Sequence, residues 1–411
     1  MKILQVNCVY QKGSTGKIVH DIHKILLANG IESIVCYGRG KLVYERGIYK
    51  FCTELESKIY HLLNKFGWLM YRVCPFGTRR LINIIRKERP DIVHLHCING
   101  YCVDIYKLCR YLAMSKIKTV VTHHAEFFYT GSCGHAYGCT RYQMKSGCFN
   151  CPIRHEATGT SIVDRTSRAW KLMRDTFDYF EKQNLSFVAV SPWVAGRSSL
   201  SPICNKFNCN WVINGVDTNV FTPSTLDKVN SIRSCLPNSR QKLILHVTAY
   251  FTTNKNNIKG GAFIKQLAEM MTDYQFVVVA NSIGHVEDLP LNLYMWGQAE
   301  SQDELATLYT AANLTVIASK RETFSMVVAE SLCCGTPVVG YESGGPESIA
   351  LPEYSEFVEY GSIEKLRMAI ERQLARGYNA CELSRLASLV YSKESMGLGY
   401  INLYNELLDG V

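Results

Sequence analysis

At 411 residues the chain is too long for one ordinary hydrophobic core, and two or three domains are expected. Its 47% apolar and 20% charged residues exclude a disordered chain, and no apolar run approaches the ~20 residues of a membrane-spanning helix. The net charge of +9 is uneven: residues 1–220 hold 30 Lys and Arg against 15 Asp and Glu, whereas residues 221–411 hold 15 against 21. A basic half points to an anionic partner, whether nucleic acid, an acidic membrane surface or a phosphorylated substrate. The opening residues lack an apolar signal stretch and a small-residue cleavage site, so a cytoplasmic location is expected, with most of the 17 cysteines as reduced thiols.

KILQVNCVY reads as a first strand and IVHDIHKILL as a helix, with QKGSTGK, Gln11 to Lys17, as a glycine loop between them. This is not a Walker loop: Gln11 stands where the first glycine would be, and Ile18 where the magnesium-binding hydroxyl would be. Small residues at a helix start still offer amides to an anion. Strand-like runs follow in IESIVCYG, PDIVHLHC, KTVVTHH, LSFVAVS and CNWVING. After an interruption at GVDTNVFTPSTLDK, a second series comprises LILHVTAY, QFVVVAN, YMWGQ, LTVIAS and TPVVGY. Strands alternating with helical segments mean parallel sheets with crossover helices, and two series mean two doubly wound domains. The expected boundaries are 1–220 and 221–390, with 391–411 as a C-terminal helix packing back on the first domain. Ligands of such sheets lie beyond the carboxyl ends of the strands, so two facing domains would gather these loops in one cleft.

The most specific stretch is SKRETFSMVVAESLCCGTPVVGYESGGPESI, Ser319 to Ile349. Glu322 belongs in the loop after LTVIAS, and Glu330 about two turns into the helix that follows. The amides of Thr323, Phe324, Ser325 and Met326 would line that helix start, a natural site for phosphate or sugar hydroxyls. The string resembles the signature of the retaining glycosyltransferases of family 4, which have the GT-B fold, an α/β architecture of two facing Rossmann-like domains. The likeness runs through almost the whole chain. VINGVDTNVF, NIKGG and WGQAESQDELATLYTAANLTVIAS carry it in and near the second domain. SPWVAGRSSLS carries it in the first, and HLHCING with VVTHHAEFFYTGSC resembles the form found in bacterial surface-polysaccharide transferases.

The resemblance implies a sugar transfer from a nucleotide-diphosphate sugar to a glycan acceptor, free or lipid-linked, with retained anomeric configuration and no required cofactor. It implies an acceptor-side first domain and a second domain that binds the nucleotide sugar. Lys259 would neutralise the donor diphosphate and Glu330 would bind the ribose. Glu322 would contact the transferred sugar, with Thr323, Phe324, Ser325 and Met326 around sugar and phosphates. Thr15 and Gly16 would approach the diphosphate from the opening loop. His124 matches the active-site histidine; His123 competes with it, since neighbouring residues of a strand point to opposite faces. The chain departs from the family pattern at Asn254, where an arginine is usual, and at Ala125 and Asn313, where aspartates are common. A sugar-nucleotide epimerase of the same fold is the alternative activity. A nucleic-acid partner is not expected, because no recognition helix or stacking module is evident.

Two further features stand apart. Cys133, Cys139, Cys148 and Cys151 crowd one loop, and their spacing suits either a structural zinc or a stiff loop of reduced or paired cysteines. Between Lys58 and Lys87, Tyr60, Phe66, Trp68, Tyr71 and Phe76 alternate with Lys58, Lys65, Arg72, Arg79 and Arg80. A basic, aromatic amphipathic helix of this kind suits peripheral contact with an anionic membrane.

Overall fold

The structure, a computed structural model, describes residues 1–65, 71–136, 138–154, 163–238 and 241–410. The chain forms two compact units, Met1–Ile213 with Met396–Val411, and Asn214–Ser395. The boundaries thus fall at 213/214 and 395/396, not at 220/221 and 390/391. The segment around Thr222 and Pro223 that interrupts the sequence pattern is the start of the second unit, where Ser224 already hydrogen-bonds Thr307 and Thr310.

The first unit holds β1 (Lys2–Val9), β2 (Glu32–Arg39), β3 (Ile48–Lys50), β4 (Ile92–Leu95), β5 (Lys118–His123), β6 (Leu185–Ala189) and β7 (Asn208–Trp211). All pair in parallel, in the order β3-β2-β1-β4-β5-β6-β7. The central strands are buried on both faces, as continuous runs such as ILQVNC require. Residues Met396, Tyr400 and Tyr404 of the last helix (Lys393–Asp409) pack on Ile3, Ile92, Val120 and Val188 of this sheet. The second unit holds β8 (Leu243–Phe251), β9 (Gln275–Ile283), β10 (Leu293–Gly297), β11 (Leu314–Ile317), β12 (Val338–Tyr341) and β13 (Ser355–Val358), in the parallel order β10-β9-β8-β11-β12-β13. Its core gathers Ile244, Phe276, Val278, Val316 and Val339 beneath Leu366 and Ile370.

All eleven strands expected from the sequence form, and β3 and β13 add one edge strand to each sheet. Both sheets reverse their strand order at one place, between β1 and β4 in the first and between β8 and β11 in the second. Such switch points open a crevice at the carboxyl edge of a parallel sheet. The loops there are the ones that carry the candidate residues.

Candidate functional site

In the second unit, Lys259 ends the loop after β8 and Glu322 lies in the loop after β11. Their side chains meet, Lys259 Nζ donating to Glu322 Oε1 at 2.7 Å. The pair is 31% and 22% exposed, so solvent screens it and it contributes no more than about 1 kcal/mol as it stands. An anionic ligand could therefore take the lysine over at little cost. Gly260 makes the approach of the two loops possible. It has φ 76, and a Cβ there would fall 2.0 Å from the Ala318 carbonyl oxygen. Beneath the lysine, His246 is buried and donates from Nδ1 to the Val316 carbonyl at 3.0 Å. Burial, with the nearby Lys259 charge, pushes it down to about 4, so it stays neutral at pH 7.

The GGPES segment explains itself here. Glu322 N donates to Ser343 O at 3.0 Å, and Gly345 N donates to Glu322 O at 2.8 Å. The Glu347 carboxylate in turn accepts from the amides of Gly344 at 2.7 Å and Ser343 at 3.0 Å. The loop Thr323–Ser325 is thus clamped before it enters the helix Met326–Cys333. Ser325 sits at that entry with φ 82, an uncommon conformation for a residue with a side chain, of the kind that concentrates at ligand-binding sites. Glu330, inside the helix, accepts from the Tyr309 hydroxyl at 3.0 Å. Two departures from the family pattern find physical roles. Asn313 Oδ1 accepts from Leu243 N at 2.9 Å and from Arg233 at 3.1 Å, work an aspartate could also do. Asn254 Oδ1 accepts from Asn256 N at 2.9 Å, shaping a local turn where the usual residue is a cation.

In the first unit the opening glycine loop needs correction. The helix begins at Gly13, so Thr15 and Gly16 lie in its first turn. Gly16 is buried against the end of β1, where a Cβ would come 3.2 Å from Val9 Cγ2, and Asn7 Nδ2 donates to Thr15 Oγ1 at 3.4 Å. The carboxyl edge of β4 and β5 holds a chain of buried imidazoles. His96 Nε2 meets Gln5 Oε1 at 3.1 Å, and His96 Nδ1 meets His124 Nε2 at 3.1 Å. Gln5 Oε1 can only accept, so His96 carries its proton on Nε2 and its Nδ1 is an acceptor. His124 then donates from Nε2, which leaves its Nδ1 as the lone-pair nitrogen. Burial pushes His124 down to about 4 and holds His94 and His96 well below the usual histidine range. His123 points the other way, as strand alternation requires. It stacks on Phe187 with centroids 5.0 Å apart and meets Ser198 Oγ at 3.0 Å, a core role. His94, held by Tyr404 at 2.6 Å and Thr122 at 2.7 Å, and His96 were not singled out from the sequence. The signal was available: histidines two apart at the end of one strand, HLHC, beside a strand ending in THH.

The cysteine-rich loop is ordered by other means than a four-cysteine metal site. Among the described residues, no three of Cys133, Cys139, Cys148 and Cys151 bring their sulfurs within 4.8 Å of one another, whereas sulfurs sharing a tetrahedral zinc lie about 3.8 Å apart. The loop hangs instead on Glu126, 1% exposed, whose carboxylate accepts from Arg197 Nε at 2.7 Å, from the Tyr129 hydroxyl at 2.6 Å and from the Ala136 amide. Arg197 also donates to the Ala136 carbonyl at 2.8 Å. The reading as a stiff loop of unpaired cysteines fits this geometry.

Of the basic aromatic stretch, Phe66 and Trp68 lie outside the described residues, as does the side chain of Lys65. Tyr71 is not a surface aromatic: it is buried and donates to Ser132 O at 3.0 Å. Leu55, Ile59 and Leu62 are exposed on one side of the helix Glu54–Lys65, and Phe76 is exposed at the start of the next. No helix of the described residues is long and apolar enough to cross a membrane.

Residues 239–384, all within the second unit, match the family model of the glycosyl transferases group 1. Over 99% of this chain and all of the relative, the sequence is 21% identical to the putative colanic acid biosynthesis glycosyl transferase WcaC of Escherichia coli strain K12. Among solved structures, the sucrose-phosphate synthase of Thermosynechococcus elongatus superposes with a TM-score of 0.68 at 15% identity, covering both chains fully. HepE of Anabaena, solved in complex with UDP-glucose, superposes with a TM-score of 0.61 at 12% identity over 99% of this chain and 100% of its own. These likenesses establish the fold as α/β, GT-B, with two Rossmann-like domains each built on a parallel sheet.

Proposed function

We propose that the chain is a retaining glycosyltransferase that moves a sugar from a nucleotide-diphosphate donor to a glycan acceptor, free or lipid-linked, in the synthesis of a cell-surface polysaccharide. The observation that carries this reading is the contact of Lys259 with Glu322 at the switch point of the second sheet. A cation for a diphosphate and a carboxylate for sugar hydroxyls stand side by side within a group 1 glycosyltransferase domain. The name of the Escherichia coli relative and the UDP-glucose held by the Anabaena protein support the polysaccharide product and the donor class.

As the anomeric bond breaks, negative charge grows on the departing diphosphate and positive charge on the sugar ring. Lys259 and the amides of Phe324, Ser325 and Met326 meet the first charge, and Glu322 meets the hydroxyls of the sugar. Preorganised groups of this kind lower the barrier because they need not reorient as charge develops. Glu330 takes the ribose. Retention follows if the acceptor attacks the face the diphosphate leaves, with the leaving phosphate accepting the acceptor's proton; no nucleophilic carboxylate of the retaining-glycosidase kind is needed. His124, held neutral by burial, hydrogen-bonds a hydroxyl of the sugar or the acceptor. The role of Thr15 and Gly16 on the diphosphate rests on the sequence resemblance, since the packing of Gly16 on β1 explains its size without a ligand.

The same reading includes cytoplasmic, peripheral contact with an anionic membrane. The exposed Leu55, Ile59 and Leu62, with the neighbouring Lys58 and Arg79 also exposed, support it. Replacing the three apolar residues by glutamate should abolish co-flotation with phosphatidylglycerol vesicles; unchanged flotation removes the membrane contact.

The activity itself is tested by incubating the protein with UDP-, GDP- and ADP-sugars, with and without a lipid-linked glycan extract. The expected result is nucleoside diphosphate release that depends on the extract, with label passing into the glycan. Sugar isomerised or set free without an acceptor would replace transfer by the epimerase reading.

A further inference from the structure

Beside the loop that follows β4, three metal-ligating side chains of the first unit converge. Cys52 follows β3, Glu56 lies in the first turn of the helix Glu54–Lys65, and Cys74 immediately precedes the helix Pro75–Glu88. One ligand atom from each lies within 4.8 Å of the others, and this is the one such group among the described residues. The sequence places these residues 22 positions apart at the extremes, with no knuckle spacing to betray them.

We propose that Cys52, Cys74 and Glu56 bind one zinc ion, which ties the end of β3 to the starts of two helices. Four observations carry this. The two sulfurs lie 3.8 Å apart, which is far beyond a disulfide bond of about 2.05 Å and close to the ~3.8 Å edge of a tetrahedron with zinc–sulfur bonds of about 2.3 Å. The carboxylate is already oriented by outer partners, accepting from Gly77 N at 2.9 Å and from Arg80 Nη2 at 2.5 Å, as ligating carboxylates usually are. Charge is matched: two thiolates and a carboxylate around a divalent ion leave one excess negative charge, and the Arg80 guanidinium sits on it. Finally, the site is shaped. Cys74 holds φ 50, an uncommon conformation for cysteine. A Cβ on Gly77 would come 2.9 Å from the Cys102 carbonyl oxygen, 3.4 Å from Cys52 Cβ and 3.5 Å from Glu56 Oε1.

Zinc is the ion of choice because two thiolates and a carboxylate form a borderline-soft donor set, and magnesium or calcium would demand oxygen ligands. Three protein ligands leave one tetrahedral position for water. A thiol proton is released from each cysteine on binding. The ion would fix the root of the helix whose outer face exposes Leu55, Ile59 and Leu62, a structural staple.

The test is metal analysis of the full chain purified without chelator, followed by chelator stripping and reloading with cobalt(II). The expected result is one zinc per chain, and a thiolate-to-cobalt charge-transfer band with the strength of two sulfurs. Joint Cys52→Ser and Cys74→Ser substitution should abolish both signals. Joint substitution of Cys133, Cys139, Cys148 and Cys151 by serine should leave them intact. Should the double variant fail to fold, Glu56→Gln serves, with zinc affinity expected to fall at least about tenfold. Zinc retained without Cys52 and Cys74, no metal uptake by the stripped wild-type chain, or a Cys52–Cys74 disulfide found by mass mapping would each overturn the proposal.

Discussion

The carboxyl edges of the two sheets place opposite chemistry at equivalent topological positions. In the first unit the edge residues are buried and neutral, and each imidazole is held by another polar side chain: Gln5 to His96 to His124, with His94 between Thr122 and Tyr404. In the second unit the edge residues are charged and partly open, with Lys259 and Glu322 held mainly by each other. Buried neutral networks fix geometry at high cost if broken, because every unpaired group in them is desolvated. Open ion pairs cost little to break, which is what a site needs if a charged ligand is to enter it and leave. The first edge is suited to positioning a hydroxyl, the second to drawing in and releasing an anion. The overall charge runs against the local pattern: the basic half owes nothing to these histidines, which burial keeps unprotonated.

The contrast can be broken most severely at Arg197. Arg197→Met leaves the Glu126 carboxylate buried without its cation and should destabilise the first unit by about 3–5 kcal/mol in urea unfolding. Adding Glu126→Gln should recover part of that loss; no recovery would mean that packing of Arg197 on Tyr142 and Trp193, not charge, holds the loop. Acidification should weaken the first unit next, although His246 of the second unit, also pushed down to about 4, adds a smaller loss there over the same range. The unfolded chain protonates its histidines near pH 6.5, whereas folded His124 and His123 resist until about 4 and about 3. The stability these groups contribute is therefore complete above pH 6.5 and lost as pH falls toward 4. For His124 alone the loss is on the order of 3 kcal/mol. A first-unit unfolding midpoint that stays level from pH 7 to pH 4 would contradict the neutral network. The smallest effect belongs to the second edge: Glu330→Gln should weaken nucleoside diphosphate binding by about 1 kcal/mol, roughly fivefold. Unchanged affinity would remove the ribose assignment.

Much of this was readable in the sequence because two strong signals coincide. Apolar runs alternating with helical segments give parallel sheets, and the string from Ser319 to Ile349 marks the loop at a switch point. Positions that depend on close approach in space were less visible. The interruption at Thr222 and Pro223 marks a change in local composition, whereas the unit boundary at Asn214 is set by which residues pack together. The glycine loop looked open because glycine and serine are poor helix formers, yet Gly13 to Lys17 are helical and Gly16 is chosen for contact with Val9. Four cysteines in one loop stand out by their spacing, but a metal site depends on where ligand atoms meet, and among the described residues the three that meet come from Cys52, Glu56 and Cys74. The ion pair of Lys259 with Glu322 joins residues 63 apart, and only the parallel neighbours β8 and β11 bring them together.

The central claim is that the second edge is a diphosphate site built around Lys259. Its most direct test is calorimetric titration of the full chain with UDP, GDP and ADP, repeated with Lys259→Ala. The account predicts micromolar binding of one of the three, weakened ~10- to 100-fold in the variant through loss of a charge-assisted contact of about 1.5–3 kcal/mol. Binding that is equally strong in Lys259→Ala, or no binding of any of the three by the wild-type chain, would contradict it.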